Sequence, residues 1–243
     1  DHIEFSTQKR EFKTTTGLYK GKRLTVQSTG IGPDNIDIVL NELDALVNID
    51  FKTREIKNNH TALNIIRIGT SGSLQLDIPV DSFLLSSHAI DLNGMLQAYN
   101  IAQIANPEIE SAFISQTNWS EKKAAPLVIS NSSLLANKMN SDIIYTGITA
   151  TAGGFYGPQG RILRLALQDP QLNSKIDSFN YKEHRITNLE METSAIYGLA
   201  KLLGHNAVSM NAILANRANA TFSKNPSKVI AELIKYTLEK IVE

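Results

Sequence analysis

The α/β class is indicated first by the stretch Leu63-Asn-Ile-Ile-Arg-Ile-Gly-Thr-Ser-Gly72. Residues 63–68 form a short apolar run that predicts a buried strand, and residues 69–72 predict a polar turn where that strand ends. We expect Arg67, inside the apolar run, to have an anionic partner, because an unpaired buried charge is costly. The turn offers backbone N–H groups and hydroxyls that can surround an oxyanion. A structural salt bridge beside a tight turn explains the same residues, and the stretch alone does not separate the two interpretations.

Strands and helices alternate on both sides of this stretch. Strands are predicted at residues 10–16 and 23–29, joined by a hairpin turn over 17–22, and at 63–68, 81–91, 141–150 and 207–215. Helices are predicted at 36–47 after a glycine turn at 28–35, at 190–203 with Gly204 as its end, and after the N-cap Asn225. Residues 92–140 predict a mixture of helix and loop. This alternation is typical of α/β proteins, in which ligand sites lie where strands end.

The composition excludes several functional classes. The 243 residues fit one large domain, and 42% hydrophobic with 20% charged residues is ordinary for a globular protein. Lys plus Arg and Asp plus Glu both number 24, so the basic excess of a nucleic-acid binder is absent. The lack of cysteine excludes disulfides, thiolate metal sites and cysteine nucleophiles, and it fits a cytoplasmic location. Apolar runs fall short of the roughly 20 residues that span a bilayer, so we expect no membrane partner. The balanced charge likewise leads us to expect no nucleic-acid partner.

Metal and redox chemistry find no support in the motifs. The histidines do not pair at metal-ligand spacing, and no His-Glu-x-x-His sequence occurs. A Gly-x-Ser-x-Gly elbow and a dinucleotide-binding fingerprint are also missing from the sequence. We therefore expect no metal and no cofactor. The five histidines are His2, His60, His88, His184 and His205.

The segment Phe155-Tyr-Gly-Pro-Gln-Gly-Arg161 is the strongest candidate for recognising a ligand. Gln159 offers both a donor and an acceptor, and Arg161 offers a fork of donors two residues later. A uracil edge presents two carbonyl acceptors around one N–H donor, which this pair could match while Phe155 packs on the ring face. A surface loop rich in Gly and Pro is the alternative interpretation.

Two further segments carry polar residues at the ends of predicted elements. Asn188-Leu-Glu-Met-Glu-Thr-Ser194 is predicted to open a helix, where Glu192 could accept hydrogen bonds from ribose hydroxyls and Met191 could pack on the sugar. Acidic residues are also common in a first helical turn for electrostatic reasons alone. Ala215-Asn-Arg217 ends an apolar strand and is either a strand terminator or the edge of a site.

Taken together, these segments resemble the nucleoside phosphorylase family and, within it, the uridine phosphorylases. The resemblance covers nearly the whole chain from about Arg10. It implies an α/β fold with a mixed twisted sheet or distorted barrel flanked by helices, and a dimer-based hexamer with sites at subunit interfaces. It also implies phosphorolysis of pyrimidine nucleosides with inorganic phosphate as co-substrate. The segments that carry it, in order, are Ser28-Thr-Gly-Ile-Gly32, Arg67-Ile-Gly-Thr-Ser-Gly72, Phe155 to Arg161, Glu190-Met-Glu192 and Asn216-Arg217.

The family's site roles transfer onto matching positions of this chain. The resemblance implies phosphate binding by Arg67, Gly69, Thr70 and, from the neighbouring subunit, Arg10; ribose binding by Thr70, Glu190, Met191 and Glu192; and base binding by Gly72, Phe155, Gln159, Arg161 and Arg217. It implies that Arg67, Gln159 and Arg161 take part in catalysis. Glu11 and Asn35 match a monovalent-cation site of some relatives, although Asn replaces a serine there.

Two departures from the family pattern shape the expectations. The family's early Gly-Asp-Pro-x-Arg phosphate loop would lie before Asp1, so we expect residues 1–243 to be one domain without its N-terminal segment. Purine-cleaving relatives place an acid near Ala215, and its absence here favours a pyrimidine base. A purine phosphorylase, a nucleosidase that uses water, and a non-catalytic relative are the alternatives.

Overall fold

The computed structural model describes residues 2–243. Its strands are β1 (His2–Lys9), β2 (Phe12–Tyr19), β3 (Lys22–Gln27), β4 (Ile49–Asp50), β5 (Glu55–Ile56), β6 (Asn64–Ser73), β7 (Phe83–Asp91), β8 (Leu127–Ser130), β9 (Ile144–Thr151), β10 (Asn180–Tyr181), β11 (His184–Glu190), β12 (Asn206–Asn216) and β13 (Thr221–Phe222). Its helices are α1 (Pro33–Asn48), α2 (Pro107–Thr117), α3 (Ser133–Met139), α4 (Leu172–Asp177), α5 (Thr193–Leu202) and α6 (Pro226–Val242). Short 3₁₀ turns lie at Met95–Ala98 and Gly157–Gln159.

Strands β6, β11, β9, β7 and β12 close into a ring within the described chain. β12 pairs in parallel with β6 and antiparallel with β7, while β9 pairs in parallel with both β7 and β11. An antiparallel pairing of β11 with β6 completes the ring. Register shifts interrupt several of these ladders, and β8 and β13 extend the sheet from β7 and β12. The predicted mixed sheet or distorted barrel flanked by helices is therefore confirmed.

Alternation along β12 shows how the barrel is filled, because successive side chains of a strand point to opposite faces. Met210 faces outward into an apolar cluster with Leu233 of α6. Asn211 is fully buried and faces inward, and Ile213, two residues further on, packs with Leu84 of β7. Leu233 is fully buried, so its replacement by Ala would lower the free energy of unfolding by about 2–5 kcal/mol.

Helices cover the outside of the barrel in pairs. Leu40 of α1 and Leu199 of α5 belong to one buried apolar cluster, and Phe113 of α2 and Ile176 of α4 belong to another. Helix α3 packs with α6 against β12. Each helix thus buries one apolar stripe against the sheet, which is the source of most helical stability in proteins. No helix in residues 2–243 is both long and apolar enough to cross a membrane.

Strands β1, β2 and β3 form a separate antiparallel sheet. Every residue of β1 is exposed. The far end of this sheet is attached to α6, where the Tyr19 hydroxyl donates to Glu239 Oε1 over 2.8 Å and Lys22 Nζ donates to the Ile241 carbonyl over 3.0 Å. Its near end carries the turn at Arg10 and Glu11, which leads into β2.

Several predicted boundaries are wrong, and tertiary pairing explains each error. Gly17 lies within β2 instead of a turn, because it pairs with Ile3 of β1 and Leu24 of β3. Glycine is needed there, since a Cβ would lie 2.2 Å from the His2 carbonyl oxygen. The turn falls at Lys20 and Gly21, where both φ angles are positive. Residues 69–72 continue β6 instead of forming a turn, because β12 and β11 pair with them.

The predicted helix at 190–203 begins later than expected. Glu190 is the last residue of β11, and α5 starts at Thr193. The pairing of β11 with β9 and β6 overrides the acidic, helix-like pattern of the sequence. The strand β8 was not predicted at all. In contrast, the helix at 36–47 is confirmed, and so are Gly204 at the end of α5 and the N-cap Asn225, whose side chain accepts from Lys228 N.

Candidate active site

Arg67 lies inside the barrel and contacts two carboxylates. Its Nη2 is 3.0 Å from Glu190 Oε2 and 2.8 Å from Glu192 Oε2, and its Nη1 donates to Asn211 Oδ1 over 3.0 Å. Only 11% of the Arg67 side chain is exposed. Burial opposes its charge, but the two carboxylates outweigh that effect and raise its pKa. The predicted anionic partners are thus present within the chain itself.

Gly69 makes this placement of Arg67 possible. Both residues face the barrel interior, two positions apart on β6. A Cβ atom at position 69 would lie 2.1 Å from Arg67 Nη1, so any side chain there would displace the guanidinium. The predicted importance of Gly69 therefore has a steric cause: the guanidinium occupies the space where a side chain would be.

The two glutamates are held by the backbone at the start of α5. Glu190 accepts from the backbone N–H groups of Glu192 at 2.8 Å and Thr193 at 3.0 Å, and from the Thr151 hydroxyl at 2.7 Å. A carboxylate in this position also interacts favourably with the helix macrodipole. Glu192 Oε1 accepts from Gly32 N over 2.8 Å, which brings the glycine turn before α1 to the site. We call Arg67, Glu190 and Glu192 the carboxylate half.

The base-loop residues also come together, around Gln159. Arg161 Nη1 donates to the Phe155 carbonyl over 2.6 Å and to Gln159 Oε1 over a very short contact. The Arg161 guanidinium lies 3.9 Å from the centre of the Phe155 ring, a cation–π contact. Arg217 Nη2 donates to the Gln159 carbonyl over 2.7 Å. We call Phe155, Gln159, Arg161 and Arg217 the arginine half.

The arginine half holds two cations without a carboxylate partner in residues 2–243. Burial lowers the pKa of Arg161, and burial together with the nearby Arg161 lowers the pKa of Arg217 to about 10, so both stay cationic at neutral pH. Arg217 Nη1 is buried and finds no acceptor among the described residues. Buried donors are normally paired, so this nitrogen fits an acceptor on a ligand. Arg161 also lines a cavity of about 660 Å³.

Strand β6 connects the two halves. Gly72 lies beside Arg217, since a Cβ on this glycine would be 3.7 Å from Arg217 Cγ and Cδ. Arg67 and Gly72 are five residues apart, roughly 16 Å along an extended strand. Thr70 lies between them and is exposed, and its hydroxyl forms no hydrogen bond within residues 2–243. Met191 is half-buried beside the two glutamates.

The remaining predicted site residues lie at the start of the chain. Arg10 is exposed at the turn between β1 and β2, with a positive φ of 55°. Asn35 and Glu11 meet at Gly30, where an added Cβ would lie 2.3 Å from Asn35 Nδ2 and 2.9 Å from Glu11 Cγ. The structure thus brings Glu11 and Asn35 together, and the cation proposed for them stays a prediction.

Sequence reasoning missed the residues of β12 that contact Arg67. Asn211 accepts from Arg67, and Ser209 Oγ lies 3.4 Å from Arg67 Nη1. The alternation Val208-Ser-Met-Asn-Ala212 is the signal that could have identified them, because two polar residues on one face of an apolar strand need a polar neighbour. Asn216, by contrast, is structural, since its amide donates to the carbonyls of Gln75 and Ile78.

One cluster of potential metal ligands is also invisible in the sequence spacing. Asp44, His60 and His205 place ligand atoms within 4.8 Å of one another. The Leu63 N–H donates to His205 Nδ1 over 3.2 Å, which puts the ring proton on Nε2, 3.3 Å from Asp44 Oδ1. A protonated Nε2 has no lone pair for a metal, so the geometry favours a structural cluster, in which the His60 and His205 rings stack, over a metal site.

The chain is similar to known phosphorylases over most of its length. A family model described as the phosphorylase superfamily matches residues 1–242. Uridine phosphorylase of Thermococcus kodakarensis is 29% identical over 95% of this chain and 73% of its own length. A DeoD-type purine nucleoside phosphorylase of Bacillus subtilis is 24% identical over 86% of this chain and 71% of its own length. The crystal structure of a Trypanosoma brucei nucleoside phosphorylase with uridine phosphorylase activity superposes with a TM-score of 0.88 and 28% identity, covering 100% of this chain and 86% of that one.

Proposed function

Since this chain belongs to the phosphorylase superfamily, we propose that it cleaves pyrimidine nucleosides with phosphate, converting uridine into uracil and ribose 1-phosphate. This is a pentosyl transfer of nucleoside salvage. The single observation that carries the choice of base is the arginine half, in which two guanidinium groups converge on Gln159 without a carboxylate in the described chain. The similarity to uridine phosphorylases supports the same choice.

The chemistry of the leaving group explains why this arrangement suits a pyrimidine. Uracil leaves as an anion whose charge lies largely on its two carbonyl oxygens. Gln159 Oε1 accepts from Arg161, so Gln159 Nε2 remains available to donate to one uracil carbonyl. The unpartnered Arg217 Nη1 is available to donate to the other. A preorganised donor aimed at developing charge is worth roughly 3 kcal/mol of the activation barrier.

The carboxylate half suits the sugar. Its one guanidinium and two carboxylates give a net charge of −1. Cleavage through an oxocarbenium-like ribose develops positive charge on the sugar ring, which a net negative neighbourhood stabilises. In the proposed complex, Glu192 accepts hydrogen bonds from the ribose hydroxyls, Met191 packs on the sugar, and Glu190 holds Glu192 in place.

Phosphate needs more positive charge than the carboxylate half supplies. We assign phosphate to Arg67, Gly69 and Thr70, and we assign the additional charge to Arg10 of a neighbouring subunit. The exposure of Arg10 on a turn supports this assignment, because an exposed side chain can reach another copy. The proposal therefore includes a dimer-based hexamer in the cytoplasm, with no cofactor beyond phosphate.

Two alternatives have a specific observation in their favour. The similarity to purine nucleoside phosphorylases favours a purine substrate, but Asn216 stands where an acid would be needed and its amide is occupied by backbone carbonyls. The net negative charge at Arg67 favours hydrolysis, because water, unlike phosphate, needs no cation. Rates with inosine and with uridine separate the purine alternative from the proposal.

Uracil release from uridine, with and without inorganic phosphate, tests the proposal. We expect release that depends on phosphate and yields ribose 1-phosphate in equal amount. Release of free ribose without phosphate would assign the chain to the nucleosidases. No release under either condition, from a chain that melts cooperatively, would contradict the proposed activity.

A further inference from the structure

A belt of polar side chains lines the barrel interior and starts and ends on β6. Within residues 2–243, two residues of the belt come from β6 and one comes from each of the other four barrel strands. Five of these residues are buried, with the exposed fraction at zero for four of them, and the sixth, Arg67, has an 11% exposed side chain. We call this belt the polar girdle, and its members, in order around the barrel, are Arg67, Asn211, Ser86, Thr149, Asn188 and Ser71.

Five hydrogen bonds join the six members in order from Arg67 to Ser71. Arg67 Nη1 lies 3.0 Å from Asn211 Oδ1, and Asn211 Nδ2 lies 3.2 Å from Ser86 Oγ. Ser86 Oγ is 2.5 Å from Thr149 Oγ1. The path returns to β6 through two further bonds, from Thr149 Oγ1 to Asn188 Oδ1 over 2.8 Å and from Asn188 Nδ2 to Ser71 Oγ over 2.9 Å.

Arg67 at one end and the bond from Thr149 to Asn188 at the other fix the directions of the hydrogen bonds in the girdle. A guanidinium only donates, so the Asn211 amide must direct its oxygen to Arg67 and its nitrogen to Ser86. Thr149 donates its proton to Asn188, so Ser86 is the donor in its bond to Thr149. The Asn188 amide nitrogen donates to Ser71. The chain of donors therefore runs one way around the barrel, and bonds in such a chain strengthen one another.

Asn211 is the member through which the girdle acts on Arg67. The carboxylates hold Nη2, whereas Nη1 is held by Asn211 and, more weakly, by Ser209. Loss of Asn211 would leave Nη1 with a 3.4 Å contact alone, so the guanidinium could turn about the two carboxylates. We propose that Asn211 is a positioning residue, which fixes the orientation of Arg67 for its anionic substrate. The functional part of this inference rests on the proposed phosphorolysis.

Substitutions of Asn211 test the inference. Asn211→Leu keeps the size and removes the acceptor, and we expect it to raise both the KM and the dissociation constant for phosphate roughly 30-fold, the value of one hydrogen bond to a charged group. The KM for uridine should change less than twofold. Asn211→Gln keeps a neutral amide acceptor for Arg67 and adds no negative charge, so it should recover part of the phosphate affinity. Equal phosphate constants in the wild type and Asn211→Leu would overturn the proposal.

A matched control separates positioning from a general loss of stability. Asn48 is also a buried asparagine, but it bridges α1 to the loop at Thr61, away from the barrel. Asn48→Leu should lower the melting temperature as Asn211→Leu does, while phosphate binding stays at the wild-type value. An equal loss of phosphate binding in both variants would contradict a positioning role.

A second variant keeps the proposal testable if Asn211→Leu does not fold. Ser86→Ala removes the acceptor that orients the Asn211 amide, and we expect a smaller rise in the phosphate dissociation constant, about threefold, in the same direction. An unchanged constant would overturn the proposal. Calorimetric titration measures the phosphate dissociation constant without turnover. A chain that binds phosphate but releases no uracil would therefore refute the proposed function, and the effect of Asn211 on phosphate binding could still be measured.

Discussion

The two halves of the site differ in their charge balance. In the carboxylate half, one guanidinium is shared by two carboxylates, and all three side chains are nearly buried. In the arginine half, two guanidinium groups share one glutamine and have no carboxylate partner in the described residues, while the neighbouring Phe155 is 52% exposed. One half therefore keeps a net negative charge, and the other keeps an unbalanced positive charge.

This difference matches the polarity of a breaking glycosidic bond. Heterolysis leaves positive charge on the sugar and negative charge on the base. A net charge of −1 from one guanidinium and two carboxylates lies at the proposed sugar end, and two unpaired guanidinium groups lie at the proposed base end. Fixed charges that favour the charge-separated state lower the barrier without reorganising during the reaction. The comparison predicts that mutations in the two halves affect different kinetic constants.

Breaking the arginine half should have the largest effect. Arg161→Ala removes the guanidinium that contacts both Phe155 and Gln159, and we expect kcat/KM for uridine to fall by about 10²–10³. The fold should survive, because Arg161 lies in a partly exposed loop. Arg164→Ala, an exposed arginine of the same loop, is the control and should keep its activity. Steady-state kinetics measure the loss of activity, and a melting curve checks that the fold survives. A wild-type rate in Arg161→Ala would refute the proposed role of the arginine half.

Neutralising one carboxylate should have the next largest effect. Glu192→Gln keeps an acceptor for Gly32 N but removes a negative charge beside Arg67. We expect kcat for uridine to fall roughly 30-fold, because a hydrogen bond to a charged group contributes about 2 kcal/mol. Glu232→Gln on the exposed face of α6 is the matched control. A rise in the KM for uridine with an unchanged kcat would mean that Glu192 binds ribose without stabilising the transition state.

Removing the proposed intersubunit cation should affect phosphate alone. Arg10→Ala is expected to raise the KM for phosphate roughly fivefold, as for a partly exposed charged pair, and to leave the KM for uridine unchanged. Lys9→Ala, the adjacent exposed cation, should change neither constant. Mixed oligomers of Arg10→Ala with Glu192→Gln would then regain some activity, since each subunit supplies what the other lacks. No recovery in the mixture would place Arg10 outside the site.

The sequence predicts the arginine half better than the carboxylate half, for a physical reason. Phe155, Gln159 and Arg161 lie within seven residues, so the loop that joins them is visible as one motif. Arg67 and Glu192 are 125 residues apart, and their contact depends on how the strands pair. The end of β11 at Glu190 is also mispredicted, because its acidic residues have the pattern of a helix start.

Local signals gave the most reliable predictions of the fold. Asn225 and Gly204 were placed correctly, since a helix cap depends on residues within one turn. The sequence does not predict the continuation of β6 through residues 69–72, because Gly69, which is typical of a turn, is needed here to admit the Arg67 guanidinium. Residues such as Asn211, which act only across strands, leave no more than a faint alternation in the sequence.

The smallest expected effect concerns how Arg161 is held. The Phe155 ring lies 3.9 Å from its guanidinium and is half exposed, and an exposed cation–π contact contributes about 0.5–1 kcal/mol. Phe155→Leu should therefore lower kcat/KM for uridine about two- to fivefold, whereas Phe155→Tyr should retain activity because its ring keeps the contact. Tyr156→Leu, the adjacent exposed aromatic residue, is the control. A loss as large as that of Arg161→Ala would mean that Phe155 contacts the base itself, and the arginine half would then bind the ring face as well as its edge.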